Sequence, residues 1–489
     1  MPSLALPFDL RSIDRQTLFY NQTVDMPRDA SPSGQSTPTG KANHTVFLVH
    51  GLWGNANHLQ YILKSLHDRY TEDELVVVAC KSNANSLTYD GIEVGGERVA
   101  KEIEDKFQEL ARDGYKISKF SIVGYSLGGL IARYAVGLLD HKGYFDKVTP
   151  VNFTTFATPH LGVRTPLTGY PNHLWNVLGA RTLSTSGRQL FTVDKFRDTG
   201  RPLLSVLADP DSIFIHALAK FQRRSLYTNI VNDRSAVYYT TGISKTDPFT
   251  DLSKVQLQYL KDFEPVIVDP DQPVIKPAEN ELPSFYQRFR SSSTTFLRRT
   301  PIYLALMILI PIATLAFLIN SGVQTFRSRR RILLHESDHE RTGFGYRIPL
   351  LVRDMRVGLE DAFENVNSAQ DQEYLPQGSE EMTGVTASVS SSKSSQQSTD
   401  SLAAEKLDST QVREDGGSPE RSPEFPTLAL TPAQFAMIKA LDDVGFRKYP
   451  VHIHKSSHSH AAIIVRTSRA AFDEGKVVIK HWLDKEFRI

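Results

Sequence analysis

The chain has 489 residues, 40% hydrophobic and 23% charged, an ordinary globular mixture. That length allows one core of about 250–300 residues and something more. Its 56 Lys+Arg against 55 Asp+Glu leave a formal net charge of +1, which argues against nucleic acid as a partner, since that role needs a basic excess. One cysteine, Cys80, excludes a disulfide framework or a Cys-rich zinc module and fits a reducing compartment.

The N-terminal segment 1–43 has no basic n-region and no long apolar run, so no signal peptide is expected; Ala30–Gly40 reads as a polar loop. From residue 44 the pattern alternates. Apolar runs at Thr45–Val49, Leu75–Cys80, Phe120–Val123, Val151–Phe156 and Leu226–Val231 read as buried strands. Between them, Gly95–Arg112 has Val99, Ile103, Phe107 and Leu110 at helical spacing, and Leu127–Leu139 is a second helix. This predicts βαβ units over 44–270: an α/β fold with a mostly parallel central sheet flanked by helices. Gly91–Gly96 lacks the G-x-G-x-x-G spacing and reads as a turn before a helix.

Residues 271–300 form a Pro-rich linker. In 301–326 no residue is charged, and Ile302–Ile319 is an almost unbroken apolar run of 18, long enough for a membrane-helix candidate. A basic, amphipathic connector covers 327–365. The Ser-rich insertion 366–430 is too polar to offset its ordering entropy and reads as disordered. Globular pattern returns over 431–489. There, Thr431-Pro432 is a helix start, a strand is expected near Phe446–His454, and a last helix around Thr467–Glu486.

Gly124-Tyr125-Ser126-Leu127-Gly128 matches G-x-S-x-G between an expected strand and an expected helix, the setting of a nucleophile elbow. Ser126 is the candidate nucleophile. His50-Gly51-Leu52 closes the first strand, where the other oxyanion donor belongs, so the backbone N–H groups of Leu52 and Leu127 are assigned to an oxyanion hole and His50 to bracing that loop. The acid should follow a later strand. Asp233 does so, with Asp209 and Asp247 as rivals. No histidine lies between Asp233 and Thr300, so the base must come from His335, His339, His452, His454, His458, His460 or His481. His452 and His454 fall inside the expected strand. The polar loop Lys455–His460 suits the base, and His460 is preferred, with His458 as the alternative. A metal bound by the His-x-His pairs is the competing reading, weakened because no carboxylate or cysteine is evident nearby. Neither metal nor cofactor is expected; no P-loop, dinucleotide fingerprint or calcium loop is present.

This order constrains the apolar segment. One crossing would put Ser126 and Asp233 on one side of a membrane and the candidate histidines on the other. A hairpin in one leaflet, an in-plane segment or a helical lid therefore remain, with the hairpin favoured. Arg288, Arg290, Arg298 and Arg299 precede the run, Arg327, Arg329, Arg330 and Arg331 follow it, and Pro311 lies near its middle.

Taken together, Val49–Gly54, Thr88–Ile92, Val123–Gly129, Ala157–Gly162 and Asn232-Asp233-Arg234 resemble the fungal serine esterases, lipase-like α/β-hydrolases that include lipid-droplet phospholipases. The resemblance covers roughly 40–250 and 431–489. It implies the α/β-hydrolase fold, Ser126 as nucleophile and Asp233 as acid, lipid acyl esters as substrates, and a lipid-droplet or endoplasmic-reticulum surface on its cytosolic face. A lipid acyltransferase and a non-catalytic droplet-surface scaffold are the alternative functions. Oligomeric state is not legible.

Overall fold

The computed structural model describes residues 40–163, 183–233, 235–275, 322–335, 374 and 425–489. The apolar run Ile302–Ile319, His339 and nearly all of the Ser-rich insertion lie outside these residues. By its internal contacts the chain separates into Met1–Gly40 and Lys41–Ile489; the description concerns the second unit.

Six strands form one all-parallel sheet: β1 (His44–Val49), β2 (Leu75–Ala79), β3 (Lys119–Tyr125), β4 (Thr149–Phe156), β5 (Arg223–Asn229) and β8 (Arg447–Val451), in the spatial order β2-β1-β3-β4-β5-β8. The two-residue strands β6 (Gln256–Leu257) and β7 (Val274–Ile275) pair separately and antiparallel. The inner strands of the large sheet are buried on both faces, which is why β1 and β3 read as nearly continuous apolar runs. In β1, Phe47 and Val49 face one core while Val46 and Leu48 face the other. Helices α2 (Ile92–Arg112), α3 (Leu127–His141), α4 (Ile213–Ala219) and α5 (Pro432–Val444) cover the first core; α1 (Gln60–Arg69), α6 (Ser459–Ala462) and α7 (Asp473–His481) cover the second. A parallel central sheet flanked by helices on both faces is the expected α/β-hydrolase architecture.

The last strand arrives after an excursion of some two hundred residues. Its register on β5 runs from Ser225 opposite Arg447 to Asn229 opposite Val451. The helix preceding it starts at Thr431 with a capping box to Gln434 and Pro432 in the first turn, as the sequence suggests. Three local expectations differ. Gly95 and Gly96 are not a turn but lie within the first turns of α2, which begins at Ile92. A Cβ on Gly96 would stand 2.5 Å from Tyr134 Cδ1, so the residue is small because α2 and α3 pack closely there. Strand β8 stops at Val451, leaving His452 and His454 in the loop beyond, their ring centroids 5.1 Å apart. The final helical stretch is broken into a 3-10 turn at Ala470–Phe472, then α7.

Two buried histidines make the fold sensitive to acid. His44 lies among core residues with Nε2 2.8 Å from Ser121 Oγ, and His481 has Nδ1 2.8 Å from Tyr227 Oη. Burial, aided by Lys119, lowers His44 to about 4; burial, aided by Lys485, lowers His481 to about 4. An unfolded chain takes up protons on these rings below the ordinary value of about 6.5, whereas the folded one resists until about 4. Stability from them is therefore complete above about pH 6.5 and drains away as pH falls toward 4, by an order of about 3 kcal/mol per ring. Urea unfolding at pH 7.5, 6, 5 and 4 should show this decline, and His481→Gln should make it shallower.

Candidate active site

Ser126 sits at the turn from β3 into α3 with φ 54° and ψ −129°, a left-side conformation that is costly for a residue with a Cβ. The two glycines of its motif make the turn possible by close approach. A Cβ on Gly124 would lie 2.3 Å from Gly129 Cα, and one on Gly128 would lie 2.2 Å from the Val49 carbonyl oxygen. The Ser126 N–H donates to the Phe156 carbonyl at 2.9 Å, pinning the turn to β4. The side chain is left half-exposed at the carboxyl end of the sheet, where parallel α/β sheets bind their ligands.

The structure brings Ser126, His460 and Asp233 into one hydrogen-bonded line. Ser126 Oγ is 2.9 Å from His460 Nε2, and His460 Nδ1 is 2.9 Å from Asp233 Oδ2. His460 is 5% exposed and Asp233 7%, so the base and the acid are shielded while the hydroxyl is reachable. With Asp233 ionised, both contacts pair a donor with an acceptor only if Nδ1 carries the proton and Nε2 accepts from the serine. Asp233 follows β5 by four residues. Its Oδ1 accepts from the backbone N–H groups of Ser235 and Ala236 at 3.1 and 2.9 Å, and its Oδ2 accepts from Asn229 Nδ2 at 2.9 Å. Four donors thus converge on one carboxylate and fix its orientation.

The other candidates go elsewhere. His458 is the half-exposed residue before α6, its N–H bonded to Ser456 Oγ, whereas His460 lies in the first turn of that helix and points inward. His335 pairs with Glu97, 2.8 Å away. His454 Nδ1 lies 2.8 Å from Glu474 Oε1, a nearby carboxylate that the sequence did not suggest. His452 meets Tyr259 at 2.7 Å; burial, then His454, lower its pKa. No His/Cys/Asp/Glu group among the described residues is arranged to hold a metal ion. Asp209 pairs with Arg201, and Asp247 caps its own turn by accepting from the Phe249 N–H at 3.0 Å. His50 is buried, with Nδ1 3.1 Å from the Gly51 carbonyl.

Gly51, between His50 and Leu52, lies directly against the nucleophile; a Cβ there would come within 2.7 Å of Ser126 Cβ. The Leu52 segment and the first turn of α3, with Leu127 N–H at its positive end, therefore flank the serine from two sides. The cleft in front of Ser126 is lined by Leu52, Trp53, Leu127, Val163, Leu183 and Leu190, with Arg466 also on its wall. A second hollow, lined by Tyr238, Thr246, Pro248 and Phe425 among others, shares no residue with it and contains neither Ser126 nor His460.

Sequence reasoning missed the supports. Tyr125, a variable position of the motif, donates its hydroxyl to the His460 carbonyl at 2.9 Å and lays its ring 5.2 Å from the imidazole. Trp53 is held by Thr88 Oγ1, which accepts its N–H at 3.0 Å, and by Tyr89 Oη, which accepts from Nε1 at 2.7 Å. The Thr88-Tyr89 pair stood in the motif list without a role. Tyr125→Phe should remove this hydrogen bond, lower stability by about 0.5–1.5 kcal/mol and loosen the imidazole. Ester turnover should fall several-fold with KM little changed, which steady-state kinetics on a soluble ester would read.

The helix-flanked parallel sheet, the strained turn at Ser126 and the Ser126–His460–Asp233 line together have the geometry of a nucleophile elbow with its acid and base. Residues 39–246 match the family described as "Putative serine esterase" (DUF676). The chain is 33% identical over 250 residues to "Putative lipase ROG1" of Saccharomyces cerevisiae, covering 49% of this chain and 34% of the yeast protein. It is 30% identical over 209 residues to "Putative lipase C4A8.10" of Schizosaccharomyces pombe, covering 42% and 26%. It thus spans about a third or less of these curated relatives. Among solved structures, the phospholipase PlaB of Legionella pneumophila aligns at 14% identity and TM-score 0.24, over 40% of each chain.

Proposed function

We propose that the protein is a serine hydrolase that cleaves carboxylic esters of lipids through Ser126, His460 and Asp233. One observation carries this reading: the 2.9 Å and 2.9 Å hydrogen bonds that run from Ser126 Oγ through His460 to Asp233, at a strained strand–helix turn opening on an apolar cleft. His460 Nε2 takes the Ser126 proton as the oxygen attacks the ester carbonyl. Asp233 stabilises the imidazolium that forms. The Leu52 and Leu127 N–H groups receive the oxyanion. His460 then protonates the departing alcohol and activates the water that frees the acid from the acyl-serine.

The lipid class of substrate is supported by the apolar lining and by the relatives named as lipases. Among lipid esters the proposed class is the phospholipids, as the resemblance of residues 40–250 to serine esterases that include phospholipases implies. Work at a lipid surface is supported by the uncharged stretch 301–326. Ser126 and Asp233 precede that stretch and His460 follows it, yet the three meet, which supports a segment that anchors without crossing, with both flanks on the cytosolic side of a droplet or endoplasmic-reticulum surface as our proposed location.

Incubating purified protein with defined phospholipid and acylglycerol vesicles, and analysing products, tests the reading. Free fatty acid and lysophospholipid are expected. Transfer to an added lipid alcohol without fatty-acid release would make the enzyme an acyltransferase, and no product at all would remove the catalytic reading.

A further inference from the structure

Residues 322–335 form a helix that includes the last residues of the uncharged stretch 301–326 and continues beyond it. One face of it is fastened to the hydrolase. Arg331 Nε lies 2.9 and 3.1 Å from the two carboxylate oxygens of Asp90, and its Nη2 lies 2.6 Å from Asp90 Oδ1 and 3.0 Å from the Ser86 carbonyl. Asp90 is wholly buried and also takes a 2.8 Å bond from Arg98. Ser328 Oγ donates to the Tyr89 carbonyl at 3.4 Å, and His335 meets Glu97. Breaking a buried charge pair of this kind is strongly unfavourable, so the helix is held in place. It docks on the segment that positions Trp53 on the wall of the cleft.

The other face is open and has a distinct chemistry. Val323, Phe326 and Leu333 are 43%, 71% and 65% exposed. Arg327, Arg329 and Arg330 are exposed among them. Val323, Phe326, Arg327, Arg330 and Leu333 recur at spacings of three and four, so they share one stripe along the helix. Cations interleaved with an aromatic and aliphatic side chains suit an interface that is anionic outside and greasy beneath. The apolar run Ile302–Ile319 lies just upstream in the chain and matches the same occupant.

We propose that this face binds the surface of an anionic lipid layer, with Arg327, Arg329 and Arg330 on the headgroup charges and Phe326, Val323 and Leu333 at the acyl boundary. The Arg331–Asp90 clamp then holds that surface at the wall of the Ser126 cleft. The inference rests on the lipid-hydrolase reading for its purpose and specifies the charge of the surface at which that chemistry works.

The test is co-sedimentation of the full chain with vesicles of phosphatidylcholine alone and of phosphatidylcholine with phosphatidylserine, alongside turnover of a water-soluble short-chain ester. The wild type should prefer the anionic vesicles, and added salt should erase the preference. The combined variant Arg327→Gln, Arg329→Gln, Arg330→Gln should lose it, by about fivefold per arginine or roughly a hundredfold in all. That variant should still turn over the soluble ester at the wild-type rate, which also shows that it is folded. Equal binding of wild type to both vesicles, or an undiminished preference in the triple variant, would overturn the proposal. A wild type that binds anionic vesicles but hydrolyses no ester would overturn the hydrolase reading while supporting the binding face.

Discussion

His460→Ala should lower ester turnover by about 10⁴-fold, and His458→Ala should leave it within about twofold. Both histidines stand in one polar stretch two residues apart, so the pair is a sharp control. His460 Nε2 lies at 2.9 Å from Ser126 Oγ, while His458 is half-exposed ahead of the helix. Asp233→Asn should cost a similar factor. An amide oxygen in place of the carboxylate no longer stabilises the imidazolium, and an amide N–H₂ turned toward Nδ1 would favour the wrong tautomer. The loss should come in kcat, since neither residue contributes to the apolar grip on the substrate. Steady-state kinetics on a soluble ester, with far-ultraviolet circular dichroism as the folding control, would read all three variants.

Gly128→Ala should be the most damaging single-methyl change in the nucleophile turn. The new Cβ would stand 2.2 Å from the Val49 carbonyl oxygen and 2.6 Å from that of His50, both backbone atoms that cannot swing aside. Strand β1 and helix α3 would have to part where the sheet is fully buried. Overpacking of that kind costs about 3 kcal/mol or more. The same shift would move Leu52 relative to Leu127 and spoil any oxyanion geometry that survives. Expression in soluble form, denaturant unfolding and ester turnover should all fall. Gly200→Ala makes the contrast: nothing lies within 4 Å of its added Cβ, so only its left-handed backbone, φ 67°, is penalised.

What the sequence made legible follows from the range over which its signals act. The parallel sheet was readable because its inner strands, such as β1 and β3, are buried on both faces and so are written largely as apolar runs. Ser126 was readable because the elbow demands two glycines at fixed offsets within one turn. Asp233 was readable as the residue that follows the β5 strand. The loop pattern preferred His460 to His458, but the physical reason that separates them is not local. It depends on the four-residue helix Ser459–Ala462, which turns one ring inward, and on Tyr125, more than three hundred residues away in the chain. The Gly91–Gly96 run was misread in part for a similar reason: Gly91, with φ 102°, does mark the bend before the helix, but Gly95 and Gly96 answer to Ile131 and Tyr134 on a neighbouring helix. The docking of 322–335 on Asp90 was invisible as well, because one arginine in a run of three looks like the others until its partner is located.

Labelling purified protein with a fluorophosphonate probe, then mapping the adduct by peptide mass spectrometry, tests the central claim most directly. The account predicts one modified serine, Ser126, with no label in Ser126→Ala and little in His460→Ala. Absence of labelling in the folded wild type, or an adduct on a different residue with Ser126 untouched, would contradict it.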